Sequence, residues 1–267
     1  MTRRSRTRTW MLLLLAFAAV TSLAPPAAAA SQPTPRLIRR ATVIDRPGAY
    51  LVVRNILTDG DTPAITITAD EVSLDLGGYR LAGPGGRVGV GIAVMGATDV
   101  KITNGSLERF GIGVFLQGAN NAVVENLQID GIDSGGAPPD VEIGVLALDT
   151  RGARIANNVI TDTFLGIFVR GDASVGNAIR DNVVTAGEQG ELGICFNPAP
   201  GMTTGGPHGN LVTGNLVSRY RRGLSLSTDS SGNVVRGNTL AYIDLSIQEA
   251  TPGSNLVADN DEQQITR

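Results

Sequence analysis

Residues 111–131 read GIGVFLQGANNAVVENLQIDG: an apolar strand, a small polar turn, and a second apolar stretch with an asparagine set inside it. Val114 and Leu116 alternate with Phe115 and Gln117, and a period of two belongs to a strand with one buried face. The same phrase returns along the chain. It opens at Gly91 (GIAVMGATDVKITNGSL), Gly144 (GVLALDTRGARIANNVI), Gly166 (GIFVRGDASVGNAIRDNVV), Gly193 (GICFNPAPGMTTGGPHGNLVTGNLV) and Gly223 (GLSLSTDSSGNVVRGNTL). Degenerate copies flank these from Ala64 and Ser246, and the basic spacing is 22 or 23 residues, with larger gaps taken up by extra loop. A fixed period of this size marks a solenoid, in which each unit buries its apolar face only against its neighbours. Three short strands per unit and no helical stripe make the expected fold an all-β parallel β-helix of about eight or nine coils.

The asparagines account for the turns. Asn104, Asn126, Asn158, Asn182, Asn215, Asn238 and Asn260 are expected at one equivalent position, with Gly78 in the early copy. A second file precedes it by five residues: Asn121, Asn177, Asn210, Asn233 and Asn255, with Asp99 in the same place. Asparagine tolerates the left-handed backbone of a tight turn, and stacked amides can bond the backbone of adjacent coils as an asparagine ladder. Both files read as structural.

The phrases Gly176-Asn177, Gly209-Asn210 with Val212 to Asn215, and Gly232 to Asn238 each come after an alternating strand. They resemble the right-handed parallel β-helix repeats of the pectate-lyase-like superfamily. Residues 70–85, DEVSLDLGGYRLAGPG, resemble the opening coils of that group, and the resemblance covers roughly residues 50–260. It implies a right-handed coil and a carbohydrate-active protein whose substrate lies over the first strand of each coil. The fold itself hosts lyases, hydrolases, esterases and epimerases, so it does not select among them.

The first thirty residues read as a secretory signal peptide. Arg3, Arg4, Arg6 and Arg8 precede the apolar run from Met11 to Val20, and Ala28-Ala29-Ala30-Ser31 offers a small-residue cleavage site. The run is too short for a membrane span, so the mature chain is expected to be secreted or periplasmic, without a span after cleavage. Losing those four arginines moves the formal charge from −3 to −7, which argues against a nucleic-acid partner. The single cysteine, Cys195, excludes an internal disulfide. Residues 31–48 are expected to form a lead-in that caps the first coil, 49–260 the β-helix, and 261–267 a polar tail.

Side chains between the buried ones on each first strand must point outward and stack into one face: Ala93/Met95, Phe115/Gln117, Leu146/Leu148, Phe168/Arg170, Cys195/Asn197 and Ser225/Ser227. Its middle is apolar. Long loops flank it at residues 130–142, 185–191 and 197–210, and extra length on a solenoid maps to loops on one face, often the binding face. Phe115, Phe168, Leu146 and Leu148 are candidates to carry a sugar ring, with Gln117, Arg170 and Asn197 binding its polar groups. The same patch could instead be a satellite core under folded loops or a subunit interface through which copies oligomerise.

For catalysis, glycoside hydrolysis needs two carboxylates, and Asp130, Asp133, Asp140, Asp149, Glu188 and Glu191 could line the walls. Elimination needs a base and something to neutralise a uronate carboxylate. In the lyases that this fold resembles, an arginine or lysine base works with acid-bound calcium, which points to Arg170 with nearby Asp140, Glu188 and Glu191; calcium is the one cofactor implied. His208, the only histidine, sits in the longest loop and invites a general-base role. The polygalacturonase-like hydrolases carry paired aspartates and a Gly-His phrase, of which this chain has only Pro207-His208-Gly209. Copper-associated β-helix proteins share the repeat, yet one histidine, one cysteine and scattered methionines supply no transition-metal ligand set. The expected function is therefore binding or cleavage of a polysaccharide by elimination or hydrolysis. A non-catalytic carbohydrate-binding or surface solenoid, and an isomerase or cyclase acting on a small apolar ligand, remain as alternatives.

Overall fold

The computed structural model describes residues 34–60, 62–86, 88–131, 142–188, 190–197 and 205–263. The signal-peptide reading of residues 1–30, the loop acids Asp133 and Asp140, most of the insertion after Asn197 and the last four residues lie outside them. Among the described residues there is no helix, and every strand pair is parallel. The chain is a right-handed parallel β-helix. Among the described residues nine first strands, from Thr42–Ile44 to Leu245–Glu249, stack as one sheet, and a 17-stranded sheet holds the second and third faces. Arg36–Ile38 pairs with Gly48–Val52 and Thr42–Ile44 with Ile65–Ile67, so the segment before Gly48 contributes strands to both sheets. At the other end Asp261–Gln263 pairs with Thr239–Ala241.

Alternation sets the core. In one coil Ile167 and Val169 from the first strand meet Ile179 and Val184 from the second and third, all fully buried. The same inward file runs continuously from Ile38 to Ile243. The glycine that opens each first strand has its own reason. A Cβ on Gly113 would lie 2.6 Å from the carbonyl oxygen of Gly144 and 2.6 Å from Ile129 Cγ2. Gly91 and Gly223 face the carbonyls of the next coil's strand in the same way, at 2.5 and 2.7 Å. The coils approach too closely there for any side chain, and this is why the phrase begins on glycine.

The asparagine files of the sequence are each two files, offset by one residue. Asn158, Asn182, Asn215, Asn238 and Asn260 form a true ladder: each Nδ2 donates to the next Oδ1 at 2.9–3.0 Å. Asn177, Asn210, Asn233 and Asn255 form a second, at 2.8–2.9 Å. Asn104, Asn126 and Asn121 are not members. They are exposed, with φ of +68°, +56° and +52°, and they stand in register with Asn157, Asp181, Gly152 and Gly176 rather than with the ladder. The adjacent pair Asn157-Asn158 shows both roles: Asn157 takes the left-handed bend at φ +55°, and Asn158 turns its amide inward. In the coil before Asn158 the ladder position is Leu127, whose N–H donates to Asn158 Oδ1 at 3.0 Å.

Candidate functional site

The outward face of the nine-stranded sheet carries three columns in strict register. The first is Ile112, Ile143, Leu165 and Leu192, the second Phe115, Leu146, Phe168 and Cys195, and the third Met95, Gln117, Leu148, Arg170 and Asn197. Sequence reasoning missed the first column. The strand-opening glycine interrupts the alternation, so the residue before it faces outward although strict counting from Val114 or Ile167 would turn it in.

The centre of this face is a small second core. Ile143, Leu165, Phe168 and Cys195 are buried together, with Ile112, Leu146, Phe164 and Leu192 packed at their margin. Phe168 is only 8 % exposed, and the Arg170 guanidinium lies 4.9 Å from its ring centroid, within cation–π distance. Phe115, one coil before Leu146, is half-buried and keeps open ring surface. The Cys195 thiol is fully enclosed and burial pushes its pKa far up, so it stays protonated and unreactive. Burial also lowers the Arg170 pKa from its ordinary value. The third column remains accessible: Gln117 and Met95 are exposed, and Leu148, Arg170 and Asn197 are half-buried.

The candidate acids and bases do not converge on this strip. Glu191 accepts from Arg221 Nη1 at 2.8 Å and pairs with Arg222 at 3.4 Å, so its charge is committed to the next coil. Glu188 lies with Gly187, Arg219 and Tyr242 on a separate open recess beyond the third strands. Asp130 accepts from Thr161 Oγ1 at 2.8 Å on the third face. His208 is exposed at the corner between first and second strands, where its backbone bridges Val175 and Ser231. Asp149 comes directly after the first-face strand at φ +52°, and its Oδ1 is buried without a hydrogen-bond partner among the described residues. Asp140 lies outside the described residues. A buried acid that sequence reasoning passed over, Glu142, precedes Ile143 at 2 % exposure.

The family model described as periplasmic copper-binding protein (NosD) matches residues 65–262. This chain belongs to the NosD family. Solved structures with the same fold include an exopolygalacturonase from Thermotoga maritima, 12 % identical with a TM-score of 0.52 over 84 % of this chain and 62 % of that one. The Dettilon tailspike protein is 14 % identical, with a TM-score of 0.50 over 85 % of this chain and 60 % of that one. An alginate lyase from Paenibacillus is 12 % identical, with a TM-score of 0.47 over 84 % and 91 % of the two chains. The NosD-family chain thus spans about three-fifths of the exopolygalacturonase and the tailspike, and at these identities it shares their fold alone. No match was found among the curated proteins.

The family's description implies copper, and the described residues do not fit it. Among the described residues no group of three histidine, cysteine, aspartate or glutamate side chains is placed to hold a metal ion. Among the described residues the soft or imidazole donors that copper prefers are dispersed: Cys195 is enclosed in the second core, His208 sits exposed at a corner, and Met95 ends an outer strand two coils from Asp149. No helix among the described residues is long and apolar enough to cross a membrane.

Proposed function

We propose that this NosD-family protein is an exported binding solenoid that holds a polysaccharide along the third outward column without cleaving it. The observation that carries the reading is the in-register strip Gln117, Leu148, Arg170 and Asn197, bordered by Phe115 and Leu146. Amides and a guanidinium beside aromatic and aliphatic surface match the polar edges and CH faces of sugar rings, and strands about 4.8 Å apart present one such side chain after another along an extended chain. An exopolygalacturonase, a protein that acts on a polysaccharide, shares the architecture. Against turnover stands the dispersal of Glu191, Glu188, Asp130 and His208. The family's periplasmic description agrees with an exported chain.

A second reading, polysaccharide elimination, is favoured by the place of Arg170, half-buried on the strip beside the Phe168 ring, where burial lowers its pKa in the direction an arginine base requires. One experiment separates the two. The purified protein is incubated with acidic and neutral polysaccharides, with and without calcium; binding is measured by calorimetry and products by mass spectrometry. Binding without products is the expected result. Products with an unsaturated end would replace it by the lyase reading, and products carrying an added water by hydrolysis. Arg170→Ala is expected to weaken glycan binding roughly tenfold, about 1.4 kcal/mol. Undiminished binding by that variant would remove the strip from consideration.

A further inference from the structure

Among the described residues, the strands at both ends of the solenoid pair on one side only. Among the described residues Arg36–Ile38 pairs on one side only, with Gly48–Val52, and Thr42–Ile44 only with Ile65–Ile67. At the far end, again among the described residues, Leu245–Glu249, Leu256–Ala258 and Asp261–Gln263 each pair only with the preceding coil. Such edges are templates for further strands unless something blocks them. No proline interrupts the last three strands, and apolar side chains stand open on both ends: Leu37 and Val43 at one, Leu245 and Leu256 at the other.

The two ends carry opposite charge. Residues 34–48 hold four arginines, Arg36, Arg39, Arg40 and Arg46, against the single acid Asp45. Residues 237–263 hold five acids, Asp244, Glu249, Asp259, Asp261 and Glu262, and no lysine or arginine. Arg39, Arg40, Asp261 and Glu262 are exposed. The arginine end is also concave: a recess of ≈ 420 Å³ opens there between Arg36, Arg39, Arg40, Val43 and Tyr50.

We propose that copies of this chain associate head to tail, the acidic last coil of one docking on the arginine-lined first coil of the next. Like ends repel and unlike ends attract, so the charges select one polarity. Arg36–Ile38 and Leu256–Ala258 belong to the same file of second strands, so a stacked copy brings these two edges together in the parallel sense that every other pair in the file obeys. Docking covers Leu37 and Leu256, which are about half exposed in the single chain. Because the two surfaces differ, the contact is heterologous and does not close on itself; the product is a filament or short chain.

The test is a charge swap read by sedimentation velocity. The unaltered protein is expected to sediment as species that grow with concentration and shrink as salt rises. Arg39→Glu with Arg40→Glu makes both ends acidic, and Asp261→Lys with Glu262→Lys makes both basic. Each variant alone is expected to lose the larger species, and an equimolar mixture of the two to regain them in alternation. Thermal melts matching the unaltered protein establish that both variants fold. A protein that stays monomeric at all concentrations, variants that associate as before, or a mixture that fails to recover would overturn the proposal. So would association that survives both reversals and disappears on Phe115→Ser with Leu146→Ser, because the contact would then be the lateral first-strand face.

Discussion

The coils before residue 150 and those after it solve one problem in two ways. Backbone groups at the corners of a solenoid must be bonded from coil to coil. In the later coils buried amides do this: Asn182 donates from Nδ2 to Ile155 O and Asn215 Oδ1, and its own Oδ1 accepts from both nitrogens of Asn158, all at 2.9–3.0 Å. In the earlier coils the corner asparagines are exposed and two of them reach carboxylates of the preceding coil, Asn104 Nδ2 to Asp75 Oδ1 and Asn121 Nδ2 to Asp99 Oδ1, both at 3.1 Å, while surface ion pairs such as Arg80 on Glu108 at 3.1 Å join neighbouring coils. Buried ladders strand their partners when one member is lost, whereas an exposed pair such as Arg80 with Glu108 exchanges protein contacts for water at small cost. The later half is therefore the more tightly specified, and substitutions probe that difference.

The largest effect is expected where both halves agree. Gly113→Ala drives a methyl into the Gly144 carbonyl and Ile129, and should cost about 3 kcal/mol in urea unfolding. Gly176→Ala, at φ +68° with no heavy atom near the added Cβ, should cost about 1–2 kcal/mol, from backbone strain alone. Equal losses would show that conformation, rather than the close approach of coils, maintains the glycine file.

Asn182→Ala should cost roughly 1–3 kcal/mol, because it strands Asn158 N–H and Ile155 O. Arg80→Met, which removes the exposed pair with Glu108 in the earlier coils, should lose less than about 1 kcal/mol. Losses of similar size in chemical denaturation would erase the contrast between the halves.

The second ladder ends on a carboxylate, which gives the later half a pH dependence. Glu249 Oε1 accepts from Asn255 N–H and Nδ2, both at 2.9 Å, and Oε2 accepts from Gly253 N–H at 3.2 Å. Burial pushes the Glu249 pKa up, but these hydrogen bonds outweigh it and hold the group below its ordinary value. A depressed folded-state pKa contributes stability that is present above the unfolded carboxylate's value and is lost as pH falls through the folded one. Hydrogen exchange at residues 245–263 should therefore accelerate below about pH 4, and Glu249→Gln should flatten that response. A Glu249→Gln protein with the same acid profile would assign the effect to other carboxylates.

The smallest change is expected at Asn126→Gly, within about 1 kcal/mol, because this exposed residue needs only its left-handed φ. A loss as large as that of Asn182→Ala would mean that Asn126 belongs to a ladder after all.

Period, strand alternation, coil number and the residue types of the ladders are local properties, and they were legible in the sequence, since one coil repeats the constraints of the last. Val114, Ile167 and Val169 could be placed inside by counting in twos. What counting did not reach was the bend. Whether Asn126 aligns with Asn157 or with Asn158 depends on where the backbone turns left-handed, and neighbouring asparagines carry no mark that separates the two. The same limit hid Ile112 and Ile143 on the outer face, because the glycine after each displaces the alternation. Exposure was beyond local reading altogether. Phe168, Cys195 and Arg170 were correctly turned outward by their parity, but only the assembled chain encloses the first two and leaves the third half open, and only the next coil engages Glu191 through Arg221 and Arg222. Direction is set by a residue's neighbours in the chain, while burial and charge pairing sum over atoms that folding brings from other coils.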